Sequence, residues 1–131
     1  MYPASNAPDR PRRDITDRTF AFAVAVVRFC QTLGRTSGAK RTVAGQLLRA
    51  GTSVGANVEE AQGAQGRKDF IAKNMIALKE AREARYWLRL VQASDLHQTA
   101  PVPELIREAT ELCNILAAIV VKARRNSEPP S

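Results

Sequence analysis

Apolar residues recur along this chain in steps of three and four rather than alternately, a rhythm that predicts helices and no strand. Phe22, Val26, Phe29, Cys30 and Leu33 form one such stripe. The spacing predicts a first helix with Asp14 or Thr16 as N-cap, running to Leu33, with Gly34 as a left-handed stop. Beyond a loop at 35–40, a second helix is predicted to about Gln62. Its rows are Val43-Leu47-Ala50-Val54-Val58-Ala61 and Ala44-Leu48-Gly51-Gly55. A third helix, from about Lys68 to Ala93, carries Phe70, Ala77, Ala81, Leu88 and Val91. The fourth starts near Pro103, with Leu105, Leu112, Ile115, Leu116 and Ile119 as its stripe. Four helices joined by short links favour an all-α, antiparallel up-down-up-down bundle. The bundle is expected over residues 14–125. Residues 1–13, broken by Pro3, Pro8 and Pro11, read as a disordered basic arm, and 126–131 as a disordered tail.

The second helix is unusually bland. Between Thr42 and Val58 its sole charged residue is Arg49. A helix with water along one side normally fills that side with charge, so this one is expected to be covered on more than one side. That points to a homo-oligomer. Gly51 and Gly55 lie four apart on one face, each costing about 1 kcal/mol relative to alanine. Close approach of another helix is the simplest compensation.

At 131 residues the chain is a single domain, and its net charge of +7 favours a polyanion as partner. Cys30 and Cys113 fall in apolar helical runs and read as reduced core residues. The polar, proline-broken run at residues 1–14 has no apolar segment after its arginines, so no secretory signal is expected. The uncharged runs Thr19 to Val27 and Leu112 to Val121 are shorter than the ~20 residues a bilayer span requires. A soluble, cytoplasmic protein without a membrane partner is expected.

Paired carboxylates, Glu59 with Glu60 and Glu80 with Glu83, suggest a di-iron bundle. Such sites need a histidine three residues after a glutamate on two helices. The one histidine, His97, falls in a link and reads as solvated, so no metal is expected. Ser53 and the cysteines lack a neighbouring base, and Gly63 and Gly66 lack the lysine of a phosphate-binding loop. No catalytic residue and no cofactor is assigned, and the protein is not expected to be an enzyme. Arg49, Asn57, Glu60, Glu80 and Glu83 read instead as structural polar residues. Glu80 or Glu83 would pair with an arginine such as Arg49. Asn57 and Glu60 would be partly buried and bonded to the third helix through Arg85 or Tyr86.

Arg82, Arg85 and Arg89 recur at three and four, a basic strip on the third helix, with Lys73 and Lys79 placed near it. One reading is phosphate contact, aided by Arg12 and Arg13 of the arm, with possible base stacking on Tyr86. The other is a solvated face held by pairs such as Lys79 with Glu83, with Trp87 as a core or subunit anchor.

The run QLLRAGTSVGANVEEA, followed by KDF and then KEARE-x-RYWL, resembles the bacterial four-helix-bundle family first described as proteins encoded in intervening sequences of 23S ribosomal RNA genes. The resemblance covers about residues 15 to 125. Its markers are Ser53, Ala56, Asn57, Glu60, Phe70, Glu80 and Glu83, and Ala61 stands where many members have glycine. It implies an antiparallel four-helix bundle assembled as a homopentamer. It also implies kinship with the accessory protein of diversity-generating retroelements, which binds nucleic acid and a reverse transcriptase. Two functions stay open: an oligomeric accessory protein that binds RNA or DNA, and a structural or protein-interaction module with no nucleic-acid role.

Overall fold

A computed structural model describes residues 10–35, 38–97 and 100–127, with side chains described from Ile15 to Asn126. Within them the chain forms α1 (Arg10–Leu33), α2 (Ala39–Gln62), α3 (Arg67–Ala93) and α4 (Val102–Ser127), with no strand among the described residues. Short links make successive helices antiparallel. α2 packs between α1 and α3, and α4 packs along α3, while the seam between α1 and α4 is much shorter. Arg18 bridges that seam, Nη2 to Glu108 Oε1 at 2.6 Å and to Glu111 Oε1 at 3.0 Å.

α1 begins four residues before Asp14. Pro11 does not block it, because a first-turn proline lacks only an N–H that would have no helical partner, and its φ suits a helix. The rest of the expected arm, residues 1–9, and residues 128–131 of the expected tail lie outside the described residues.

Gly34 ends α1 for a different reason from the one expected. Its φ is not positive, and the glycine that is left-handed is Gly38, at φ 83 before α2. Gly34 N donates to Cys30 O at 2.8 Å. A Cβ at Gly34 would lie 2.9 Å from that oxygen and 3.3 Å from Ala44 Cβ, so space selects glycine here. At the far end of α3, Asp95 takes φ 60 and Leu96 N donates to Val91 O at 3.1 Å, a Schellman closure that folds Leu96 onto the core.

Val26, Leu47, Val54, Val58, Leu88, Leu112 and Leu116 are wholly buried. Both cysteines are buried and free, and burial pushes the Cys30 thiol up to about 11. Gly51 and Gly55 provide the expected close approach, and the neighbour is α1. A Cβ on Gly51 would meet Val26 Cγ1 at 2.8 Å, and one on Gly55 would meet Thr19 O at 3.2 Å. Thus α1 and α3 together cover much of α2. Leu48 and Ala56 stay exposed, on the same outer side as Phe20 and Val27 of α1. Among the described residues no helix is long and apolar enough to cross a membrane.

Candidate nucleic-acid interface

A helix turns about 100° per residue, so Arg82 stands on the opposite side of α3 from Glu80, two residues earlier. That geometry divides the charges of α3. Glu80 and Glu83 border α2, where Arg49 Nη1 lies 3.3 Å from Glu80 Oε1 and Nη2 bonds Glu83. Trp87 Nε1 donates to Glu83 Oε2 at 3.2 Å. These bonds, Arg49's first and Trp87's second, hold the Glu83 carboxyl below the usual range. The bond to Glu83 first, and then the charge of Glu80, raise the Arg49 guanidinium above its ordinary value.

Arg82, Arg85 and Arg89 take the side bordering α4. Arg82 and Arg89 are exposed and Arg85 is half-buried. None of the three forms an ion pair among the described residues. Burial raises the Cys113 thiol, opposed by the positive charge of Arg85 and Arg82, which locates both guanidinium groups beside α4. The strip continues beyond α3: Lys79, Arg82 and Arg124 of α4 line one groove with Met75, Leu78 and Val120. Arg124 was absent from the sequence-derived site because only packing shows which α4 cation lies opposite position 82.

Other expectations need correction. Lys73 is not on the strip. Nine residues before Arg82, it lies half a turn away on the α2 side, with Nζ 3.0 Å from Glu60 Oε1. That bond raises the Lys73 ammonium above its ordinary value. Glu60 is bonded to α3 as expected, but to Lys73 rather than Arg85 or Tyr86, and its side chain is 62% exposed rather than buried. Antiparallel register explains the exchange. Glu60 is near the end of α2 and meets the start of α3, whereas positions 80–83 lie opposite Arg49. Asn57 is half-buried, but its Nδ2 donates to Ser53 O of its own helix at 2.9 Å. His97 is not a solvated loop residue: its ring meets Phe29 edge-on at 5.2 Å, and Nδ1 is buried without a partner. Arg12 and Arg13 fall in the first turn of α1, and their side chains lie outside the described residues.

Tyr86, 57% exposed, packs edge-on against Trp87 with ring centroids 5.1 Å apart. Trp87 is half-buried and anchored to the carboxylate side, so Tyr86 is the more accessible ring.

The same helical frame is found elsewhere. A crystal structure of a protein of unknown function from Bacteroides thetaiotaomicron, assigned to the S23 ribosomal protein family, is 34% identical. It superposes with a TM-score of 0.76, over 84% of this chain and 97% of that one. Among curated proteins no match is found. Residues 12–118 match the family described as 23S rRNA-intervening sequence protein. With that match over most of its length and a bundle of four helices beneath it, the chain belongs to the 23S rRNA-intervening sequence protein family.

Proposed function

We propose that this protein is a non-enzymatic accessory factor that binds nucleic acid through the α3–α4 side of the bundle, acting as a homo-oligomer. The observation that carries the reading is the division of charge on α3. Arg49 engages Glu80 and Glu83 across the α2 seam, while Arg82, Arg85 and Arg89 face the other way without ion pairs among the described residues. A protein that needed its arginines only for solubility would gain nothing from keeping its acids away from them. Phosphates would replace the missing counter-charges and release their own condensed cations. The family's association with 23S rRNA makes RNA the first polyanion to test, with DNA beside it. Salt-dependent affinity for single-stranded RNA and DNA is the direct test, and no binding at low salt would remove the reading.

Self-association is supported by the outer α1–α2 face. Phe20 is 68% exposed, and with Ala23, Thr52, Gly55 and Ala56 it borders a shallow groove of about 220 Å³. The family resemblance implies five copies. Several strips on one particle would add avidity to individually weak contacts.

A second reading has its own observation. Met75 and Ile76 are 43% and 40% exposed in the groove that holds Lys79, Arg82 and Arg124. An acidic protein segment with apolar anchors would fit that surface as well as a strand would. The reverse transcriptase implied by the resemblance belongs with this reading. It is tested by co-purification with any such enzyme encoded beside this gene.

A further inference from the structure

Two apolar patches face away from each other on this bundle. On the α1–α2 side, Phe20 is 68% exposed and borders a shallow groove with Gly55, Ala56 and Glu59. On the α3–α4 side, Met75 is 43% exposed and Val121 53%, beside a groove of about 500 Å³ lined by Met75, Leu78 and Val120. Because α1, α2, α3 and α4 pack in that order around the bundle, these are opposite sides. The patches also stand at the same height. Phe20 lies beside Ala56 of α2. Across the α2–α3 seam Glu60 meets Lys73 and Arg49 meets Glu80, and that antiparallel register sets Ala56 level with Met75 and Ile76. Their charges are opposite in sign. Glu59 is exposed at the Phe20 groove and forms no ion pair among the described residues. The other groove carries Lys79, Arg82 and Arg124, and Arg124 Nη2 reaches Met75 Sδ at 2.9 Å, so positive charge stands on the patch itself.

We propose that the two patches are the halves of one contact: Phe20 and Glu59 of one copy seat in the Met75–Val120 groove of the next, joining copies head to tail with their bundle axes parallel. An exposed ring and an exposed apolar groove are both withdrawn from water by this single contact, and the rim charges steer its orientation. A two-fold contact of Phe20 against Phe20 would bring both Glu59 side chains to one place and leave the α3–α4 groove in water. Because the two surfaces differ, the contact repeats from copy to copy, closing into a ring when each step turns enough. This pairing rests on the reading that the α1–α2 face self-associates, and it supplies the surface that receives that face. It also gives the acidic partner with apolar anchors that suits the Met75 groove a definite source, a second copy of this chain. Arg89, fourteen residues beyond Met75 and so ~21 Å further along α3, stays clear of Phe20.

The test is sedimentation velocity of the full chain without nucleic acid, for wild type, Phe20→Glu, Met75→Glu, Glu59→Lys and an equimolar mixture of the first two variants. All three positions are exposed, and circular dichroism checks that each variant keeps its helices. Phe20→Glu and Met75→Glu each spoil one half of the contact, and each alone is expected to sediment as a monomer. Their mixture is expected to form a one-to-one pair and nothing larger, because the intact groove of Phe20→Glu receives the intact Phe20 of Met75→Glu. Glu59→Lys is expected to raise the concentration needed for assembly at least tenfold. Met75→Glu that assembles like wild type overturns the proposal; if Phe20→Glu is then monomeric, a two-fold contact of the α1–α2 face takes its place. A mixture that stays monomeric overturns it as well. A monomeric wild type overturns both this pairing and self-association itself, and leaves the two grooves to a different protein.

Discussion

Arg49 on α2 and Glu80 on α3 lie across a seam with Nη1 3.3 Å from Oε1, and Glu80 is the one charged residue that is buried among the described residues. The same arginine bonds Glu83 one turn on, so a single exposed guanidinium answers two carboxylates. Replacing it leaves Glu80 buried without its counter-charge. Arg49→Met is expected to lower the urea midpoint clearly at pH 7, and an unchanged midpoint would show that water already satisfies Glu80.

The pH dependence of that loss has a defined sign. The folded Glu83 carboxyl titrates below its unfolded value, which is about 4.3. Its stabilising contribution is therefore complete above that pH and fades as pH falls through the lowered folded value. Without Arg49 the carboxyl returns toward its ordinary range. The midpoint gap between wild type and Arg49→Met should narrow from pH 7 to pH 3. A constant gap would contradict the assignment.

Two glycines of α2 give a graded test of packing. At Gly45 an added Cβ meets nothing within 4 Å, so Gly45→Ala should stabilise by about 0.5–1 kcal/mol through helix propensity. At Gly51 the methyl would strike both Cγ atoms of Val26, a stiff β-branched side chain. Overpacking costs about 1–3 kcal/mol, enough to outweigh the propensity gain. Chemical denaturation should rank Gly45→Ala above wild type and Gly51→Ala below it. The reverse order would mean that α1 is not held against α2 at this point.

Glu60 and Lys73 form a solvent-exposed pair, and such pairs contribute little. Glu60→Ala should leave the thermal midpoint within error of wild type. A drop comparable to that of Arg49→Met would place Glu60 in a buried network that the geometry does not contain.

How much of this was legible in the sequence depends on whether a feature is set by one helix or by two. Gly51 and Gly55 were legible because spacing by four fixes a shared face whatever packs there. Arg49 with Glu80 and Glu83 was legible because they are the charges left at the inner edges of α2 and α3. The place of Lys73 off the strip was legible, since nine residues along a helix is half a turn. The partner of Glu60 was not, because it depends on the antiparallel register set by the link at 63–66. The start of α1 is ambiguous in the sequence, because a proline such as Pro11 can break a helix or sit in its first turn. His97 could not have been placed on Phe29, a neighbour that only the folded chain creates.

The uncovered α1–α2 face leads to a prediction about mass. Light scattering at micromolar concentration should give a multiple of 14.4 kDa. Phe20→Glu, at a position already 68% exposed, should lower that mass without loss of helix by circular dichroism. A monomeric wild type, or an unchanged mass in the variant, would move self-association away from this face.

The central claim is that the side of α3 facing α4, and not the side facing α2, meets the polyanion. The measurement is affinity for single-stranded RNA and DNA as a function of salt, for wild type, Arg82→Ala/Arg89→Ala and Lys73→Ala. The account predicts that the double variant binds more weakly and that its log–log salt slope is shallower by about two, one for each lost phosphate contact. Lys73→Ala, half a turn away and paired with Glu60, should follow the wild-type curve. Equal affinities and slopes for wild type and the double variant, or a loss confined to Lys73→Ala, would contradict it.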